Sequence, residues 1–393
     1  METSPAKESR RLPAFMQIVK IVRDRIEKGY YAPGEWLPTE RDIAIELKVS
    51  RPVVQVAFKY LREEGLVLQQ GPGHRSRVSP REGPPVYEPN ELTSRTIVAI
   101  MPHAPELAYG YSIVRGINTA LREKESSHQL VICDTDAAPI PSDGEDGAYA
   151  WETKYLQRIE REGAAGLILI HAGGSVTAPI VRAIQEKGVS VVMIDRYSHD
   201  IDSDFVGTDN RNASKAVVEH LIKLGHRRIG YVLRVERVTS VEERLGGYRD
   251  ALETHGIRFD PELVTSGWPH AGLALDHYRA LSDPPTALAA LHDFAAFELI
   301  HEAQTRGIKV PEDLSVVGFD DVESYSPRAG MLTTVHQPFF EIGRRAGELI
   351  LLRQSSPGSV SARSFRHIFL PASLVVRTSC SAPHLLKGEN SCA

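Results

Sequence analysis

Residues 37–67, LPTERDIAIELKVSRPVVQVAFKYLREEGLV, decide the fold of the N-terminal part of the chain. Thr39 is placed to cap a first helix, whose apolar face would consist of Ile43, Ala44 and Leu47. After a short turn, Ser50 is placed to cap a second helix, which ends at Gly65 and repeats apolar residues at helical spacing: Val53, Val56, Ala57, Tyr60 and Leu61. By itself this pattern is typical both of an ordinary surface helix pair and of a pair whose second helix enters a DNA major groove.

The flanking residues extend the helix pair to a winged helix. Residues 15–28 carry apolar side chains on one helical face, and residues 65–78 have the pattern of a hairpin with its tip at Gly71, Pro72 and Gly73. Three helices and a basic hairpin predict a wing that contacts phosphates or a minor groove. On the helix after Ser50, Arg51 and Gln55 would face outward and could reach base edges.

Charge is distributed unevenly along the chain. Residues 10–77 contain 13 Lys and Arg against 8 Asp and Glu, whereas the whole chain of 393 residues has a net charge of −5. A basic head on an acidic body fits a head that binds nucleic acid. There is no apolar run near the roughly 20 residues of a membrane span, no signal-peptide pattern and no disulfide framework among the three cysteines, so we expect a cytoplasmic protein.

Four motifs of residues 30–67 occur in the order found in GntR-family bacterial repressors: a Pro-Gly turn, Leu-Pro-Thr-Glu-Arg, Val-Ser-Arg and Glu-Gly-Leu. Residues 14–79 therefore resemble the DNA-binding head of that family. The chain departs from the family pattern at Pro52 and Val53, which replace small hydroxyl residues, and at Gln55, which stands where Arg is common and favours adenine over guanine. The residues expected to contact DNA are Arg41, Ser50, Arg51, Pro52, Gln55, Gly71, His74 and Arg75.

After a Pro-rich segment at residues 80–94, which predicts a linker, strands alternate with helices. This alternation predicts an α/β body with parallel sheets in two lobes, whose ligands bind beyond the carboxyl ends of the strands. The predicted strands are 96–101, 130–133, 167–170, 189–194, 229–233, 287–291 and 314–319, and the predicted helices are 111–121, 153–161, 180–186, 213–224, 245–254, 295–305 and 339–352.

Several long stretches of residues 95–378 are similar to the effector domain of LacI/GalR-type repressors, which have the fold of periplasmic sugar-binding proteins. They include VVMIDR (191–196), RLGGYRDALETHGI (244–257), PEDLSVVGFDD (311–321) and LPASLVVRTSC (370–380). A GntR-type head on a LacI-type body resembles the arabinose-repressor-like group. The expected fold is a winged helix-turn-helix (14–79) and a two-lobed periplasmic-binding-protein-like domain (95–378), with tails at residues 1–13 and 379–393.

Sugar recognition needs carboxylates, guanidinium or amide groups and an aromatic face. Candidates follow predicted strands or open predicted helices, and the resemblance matches most of them to ligand contacts of the family: His103, Tyr109, Asp195, Arg196, Arg244, His292, Asp320 and Gln337. Strand-end Asp and Arg are also common as structural ion pairs or helix caps. Two other polar residues are expected to be structural: Asp293 to cap a helix and His226 to lie in a turn.

His292 stands where the family has Asn. Because His can be cationic, one hypothesis is an acidic effector.

No metal-binding spacing, Walker loop or Gly-x-Ser-x-Gly elbow occurs in the sequence, so we expect neither an enzyme nor a cofactor. The preferred interpretation is a homodimeric transcriptional repressor that binds double-stranded operator DNA under the control of a small-molecule effector, most simply a sugar. An activator of the same architecture, a solute-binding module without DNA affinity and an α/β hydrolase are the alternatives.

Overall fold

The computed structural model describes residues 14–27, 30–31, 35–47, 49–63, 67–69, 75–78, 92–101, 109–134, 146–173, 175–233, 238–265, 271–322, 329–355 and 364–383. They form two compact units, a head mainly within residues 1–86 and a body from residue 87 onward. Three residues predicted as contacts lie outside the described residues: Gly71, His74 and His103. Tail residues 1–13 and 384–393 and linker residues 80–91 lie outside them as well.

The head contains three helices and a hairpin in the predicted order. Its elements are α1 (Ala14–Glu27), α2 (Glu40–Glu46), α3 (Arg51–Glu63), β1 (Val67–Gln69) and β2 (Ser76–Val78). Thr39 caps α2, because its hydroxyl accepts the Asp42 N–H while the Asp42 carboxylate accepts the Thr39 N–H at 3.1 Å. The strands β1 and β2 pair antiparallel, and the Leu37 N–H donates to the Ser76 carbonyl at 2.9 Å, which ties the chain before α2 to the hairpin.

The buried face of α3 differs from the predicted one. Val54 and Phe58 are fully buried, whereas Val53 and Val56 are only half-buried. The predicted burial of Ala57, Tyr60 and Leu61 is confirmed, whereas the sequence prediction placed Val53 and Val56 on this face and missed Val54 and Phe58. The physical reason is that α3 packs against α1, α2 and β1 together, so the direction in which it buries side chains is set by three neighbours rather than by its own apolar spacing.

The helices and strands of the body follow within the described residues. In chain order they are β3 (Thr96–Met101), α4 (Gly110–Glu123), β4 (Gln129–Asp134), α5 (Asp146–Glu162), β5 (Gly166–Leu169), α6 (Ala178–Glu186), β6 (Ser190–Ile194), β7 (Asp204–Thr208), α7 (Asn210–Lys223), β8 (Ile229–Val232), α8 (Thr239–Thr254), β9 (Val264–Thr265), α9 (Ala271–Ala280) and β10 (Ala287–Ala290). Then follow α10 (Asp293–Thr305), β11 (Ser315–Val317), β12 (Thr334–His336), α11 (Phe339–Ser355), β13 (His367–Leu370) and β14 (Ser373–Val375).

These elements form two lobes built on separate parallel sheets. The first lobe has the strand order β13-β7-β6-β5-β3-β4, with α4 and α11 on one face and α5 and α6 on the other. The second lobe has the order β11-β10-β8-β9, with α7 and α8 on one face and α9 and α10 on the other. Because helices cover both faces of each sheet, the side chains on both sides of its central strands are buried. The sequences of these strands are therefore nearly continuous runs of hydrophobic residues.

The chain passes between the lobes at three places. These are β7 to α7, β12 to α11, and β13 to β14, and β14 pairs with β12 in a small antiparallel sheet. The predicted two-lobed parallel architecture is thus confirmed, but the sequence missed β7, β9, α9 and the short strands β12, β13 and β14. Strands as short as these depend on distant partners: β13 pairs with β7, from which it is separated by the whole second lobe.

Close packing of α4 on α11 depends on glycine. A Cβ added at Gly343 would lie 2.0 Å from the carbonyl oxygen of Ile113, and one added at Gly116 would lie 2.0 Å from that of Phe340. Only glycine permits this separation of the two helix backbones.

The packed body also continues past residue 378, where a tail was expected. Ser379 is buried and donates to the Val316 carbonyl at 2.6 Å. Among the helices of the described ranges, none is both long enough and apolar enough to cross a membrane.

Candidate functional site

The head presents a polar surface around the start of α3. Arg41, Ser50, Arg51, Pro52 and Gln55 are all exposed. Arg51 and Gln55 are one helical turn apart, so their side chains project from the same side of α3. The Arg51 side chain is 64% exposed, and its Nε lies 3.9 Å from a carboxylate oxygen of Glu40, a separation at which water competes effectively.

Arg75 has a structural contact within the head. It is exposed, but its Nη2 donates to the Leu37 carbonyl at 3.0 Å. This bond joins the returning strand of the hairpin to the segment that leads into α2. Arg75 therefore supports the wing, in addition to the DNA contact predicted for it.

The first lobe contributes Asp195 and Arg196 to the cleft, directly after β6. Asp195 is buried at a positive φ of 66°, and the Arg196 Nε donates to its carboxylate at 2.9 Å. A non-glycine residue in this backbone region is strained, and such strain is concentrated at ligand sites. Tyr109, at the start of α4, stacks on Phe339 with ring centroids 4.1 Å apart and 3° between the planes. Burial, and secondly the negative charge of Asp195, raise the pKa of Tyr109, so its hydroxyl stays protonated.

The second lobe contributes Arg244 from α8. Its Nε donates to the Asn210 Oδ1 at 2.9 Å, and its Nη1 donates to the Leu291 carbonyl at 2.8 Å. The guanidinium carbon lies 3.8 Å from the centre of the Phe319 ring. Arg244 is thus buried and oriented by hydrogen bonds and by cation–π stacking.

Asp320 lies opposite this guanidinium. It follows β11 at a φ of 124°, is buried, and has its Oδ1 3.8 Å from the Arg244 Nη1. Burial raises the pKa of Asp320 well above its ordinary value, although Arg244 acts in the opposite direction. Gln337 joins the lobes at this point, since its Nε2 donates to Asp320 at 2.6 Å and its Oε1 accepts from Thr208 at 2.5 Å.

His292 is the N-cap of α10, and its Nδ1 accepts the Ala295 N–H at 3.0 Å. An Nδ1 that accepts a hydrogen bond carries no proton, so this contact assigns the neutral tautomer with hydrogen on Nε2. A cationic His292 would lose the cap. The expectation that Asp293 caps this helix was wrong: its buried carboxylate instead accepts from the Thr334 hydroxyl and from the Val322 N–H.

Two other polar residues have structural roles. Asp209 caps α7 by accepting the Asn212 N–H at 3.2 Å. His226 is buried and contacts Thr286, Ser315 and Ser381, so it is part of the framework of the second lobe.

Sequence reasoning missed a buried polar cluster at the end of β5. The Glu152 carboxylate accepts from the Thr177 hydroxyl and from the Ala172 N–H, both at 2.6 Å, and the His171 Nε2 lies 3.0 Å from the same hydroxyl. Burial raises the pKa of Glu152 to about 7 and lowers that of His171 to about 4, so the 3.6 Å approach of the two is not an ion pair at neutral pH. A histidine directly after an apolar strand was the available signal.

A head with an exposed recognition helix and a two-lobed body with a buried polar cleft define a ligand-responsive DNA-binding regulator. A family model for bacterial regulatory proteins of the gntR family matches residues 16–74, and one for a periplasmic binding protein-like domain matches residues 218–380. In the residues the structure describes, no group of His, Cys, Asp and Glu could hold a metal ion.

Relatives of this architecture are regulators. The chain is 31% identical to the HTH-type transcriptional regulator DegA of Bacillus subtilis, over 75% of this chain and 86% of that protein. It is 27% identical to an arabinose metabolism transcriptional repressor of Geobacillus stearothermophilus, over 86% and 91%. A ribose-bound LacI family regulator of Enterococcus faecium has a similar fold, with a TM-score of 0.58 at 23% identity over 73% of this chain and 99% of that chain. The chain belongs to the HTH-type transcriptional regulators and joins a gntR-family DNA-binding head to a periplasmic binding protein-like, effector-binding body.

Proposed function

We propose that this regulator is a homodimeric repressor whose operator affinity is set by a neutral sugar bound between the two lobes. The observation that carries the proposal is the convergence of two carboxylates, two guanidinium groups and an amide from strand ends of both lobes and from α8: Asp195, Asp320, Arg196, Arg244 and Gln337. Carboxylate oxygens accept from, and guanidinium groups donate to, adjacent hydroxyls of a sugar. The Tyr109 ring supplies an apolar face for the C–H side of the sugar.

The charges of the cleft favour a neutral ligand over an acidic one. Two carboxylates stand against two guanidinium groups, and Nδ1 of His292 already caps a helix. With Asp320 ionised, a sugar acid would therefore meet no excess positive charge, which is the opposite of what the His292 substitution had suggested. A relative is named for arabinose metabolism and a similar fold holds ribose, so pentoses are the first ligands to test.

The head is proposed to bind DNA as one half of a dimer in the cytoplasm, each head occupying one half-site of an imperfect palindrome. Arg51 and Gln55 would contact base edges, with Arg41, Ser50 and Pro52 beside them at the backbone. Ligand and DNA then affect each other's affinity by the same factor, because coupling between two sites is reciprocal.

The test is a titration of selected operator DNA, with and without L-arabinose, D-ribose, a neutral disaccharide and gluconate. We expect one neutral sugar to change operator affinity and to raise the melting temperature of the chain. Arg51→Ala should lose specific DNA binding while keeping the thermal response to sugar. Asp320→Asn should lose the response to sugar while keeping DNA binding. If gluconate is the strongest effector, or if no sugar changes DNA affinity, the proposed effector class is wrong.

A further inference from the structure

Tyr197 directly follows the two cleft residues of the first lobe, and it is bound to α8 of the second lobe. Its backbone N–H donates to the Thr239 hydroxyl oxygen at 3.0 Å, and the same hydroxyl donates to the Tyr197 carbonyl at 2.9 Å. The Tyr197 phenol donates to the Glu243 Oε1 at 3.2 Å. Thr239 and Glu243 are four residues apart on α8, so both face Tyr197 from one side of the helix.

The contacts of Glu243 continue to the cleft residue beside it. Its Oε2 accepts from the Asn210 Nδ2 at 3.1 Å, and the Asn210 Oδ1 accepts from the Arg244 Nε at 2.9 Å. The Asn210 amide is used at both ends, and its orientation is determined, because a carboxylate only accepts and a guanidinium only donates. The side chains of Tyr197, Glu243 and Asn210 therefore connect the segment after Asp195 to the guanidinium that faces Asp320.

The network is partly withdrawn from water, since Tyr197 and Glu243 are half-buried. Asn210 and Arg244 are buried, and burial raises the pKa of Glu243 and that of Tyr197. A phenol–carboxylate hydrogen bond is stronger than one between neutral groups when the carboxylate is ionised. None of these residues except Arg244 is among the proposed ligand contacts, so the network does not duplicate the site.

We propose that Tyr197, Thr239 and Glu243 form a lobe latch, a cooperative set of hydrogen bonds that keeps the segment carrying Asp195 and Arg196 docked on α8 and positions Arg244 through Asn210. Tyr197 and Glu243 are thus positioning residues for effector binding. The role of the latch in effector binding rests on the proposed function, whereas its hydrogen bonds involve only residues of the body.

Amide hydrogen exchange of the full chain, without DNA or sugar, tests the latch. The N–H of residue 197 is the reporter, because it exchanges only when its bond to Thr239 opens. Tyr197→Phe removes the phenolic hydroxyl and leaves the bond from the backbone N–H to Thr239 in place. If the bonds act together, exchange at residue 197 rises about tenfold, the lower end of the effect expected for a lost hydrogen bond to a charged group. Tyr111→Phe, an exposed tyrosine on α4, is the matched control and should leave exchange at residue 197 unchanged.

A second pair of variants keeps the test decisive. Thr239→Ser retains the hydroxyl and should keep residue 197 protected, whereas Thr239→Val removes both backbone contacts and should expose it. Amides within β6 report global stability and should not change in any variant. The latch is overturned if Tyr197→Phe exchanges like Tyr111→Phe, if Thr239→Ser behaves like Thr239→Val, or if β6 accelerates as much as residue 197. Because the readout needs neither sugar nor DNA, it fails or succeeds separately from the proposed function.

Discussion

Replacing Arg244 with Met tests how the buried charges of the cleft are balanced. Met has a similar length and no charge, so it keeps much of the packing on Phe319 while removing the guanidinium 3.8 Å from Asp320. The Asn210 Oδ1 and the Leu291 carbonyl also lose their donors. The variant leaves a buried carboxylate without its countercharge.

Breaking a buried pair in this way costs about 3–5 kcal/mol, a large part of the about 5–15 kcal/mol by which a protein is stable. The cost depends on pH, because Asp320 can take up a proton. Burial already raises the pKa of Asp320, and loss of Arg244 raises it further. A group with a raised folded-state pKa contributes stability below its unfolded pKa and loses that contribution as pH rises through the folded value. The penalty of the variant should therefore be larger at about pH 8 than at about pH 5.5.

Urea unfolding of the full chain, followed by circular dichroism at both pH values, measures this penalty. The head and body are treated as separate transitions, because a chain of several domains is not two-state. Asp320→Asn and the double variant complete a double-mutant cycle. The double variant should recover about 2 kcal/mol relative to Arg244→Met alone, since it buries no unpaired charge.

Two results would refute the reasoning. The first is a penalty for Arg244→Met that is equal at the two pH values, because Asp320 would then not be the group left uncompensated. The second is an additive double variant, because the two charges would then be uncoupled in the folded body.

Three further predictions concern other parts of the molecule. Gly343→Ala should destabilise the body by about 1–3 kcal/mol in thermal unfolding, because the added Cβ would lie 2.0 Å from a carbonyl of α4, whereas Gly110→Ala, with nothing within 4 Å, should be neutral. Glu152→Gln should remove the contribution of this carboxyl, a loss of stability of up to about 3 kcal/mol between about pH 4.5 and pH 7 that the lowered pKa of His171 opposes, since burial raises the pKa of Glu152 to about 7; the difference in urea midpoints between the two chains across that range measures it. Arg51→Ala should abolish specific operator binding and Gln55→Arg should shift the preferred base toward guanine in binding-site selection, and a Gln55→Arg chain with an unchanged selected site would contradict direct readout.

Local patterns were enough to find most elements of this chain. The Thr39 cap and the turn before α3 are encoded within a few neighbouring residues, so the head could be predicted from the sequence. The burial of Val54 and Phe58 on α3 could not, because the neighbours of this helix, α1, α2 and β1, decide which further side chains are covered. The strand β13 escaped prediction for a related reason, as its pairing partner lies far back in the chain.

For the candidate site, the sequence by itself determined which residues stand at strand ends. Asp195 and Asp320 could be singled out because parallel strands direct their carboxyl ends to one edge, and the family resemblance supported them together with Arg244 at the start of a predicted helix. Only the tertiary structure decided how these groups are used. The proton position on His292 and the true role of Asp293 follow from contacts to backbone atoms that no sequence pattern specifies.

The same division holds for the stretch that decides the head and for the candidate site of the body. Helix, turn and strand signals are short-range, because caps, glycine stops and apolar periodicity act within a few residues. The buried Glu152 cluster and the lobe latch at Tyr197 depend on side chains 25 to 46 residues apart in sequence. Burial gives those contacts their strength, and burial is a property of the folded lobes rather than of any segment of the chain.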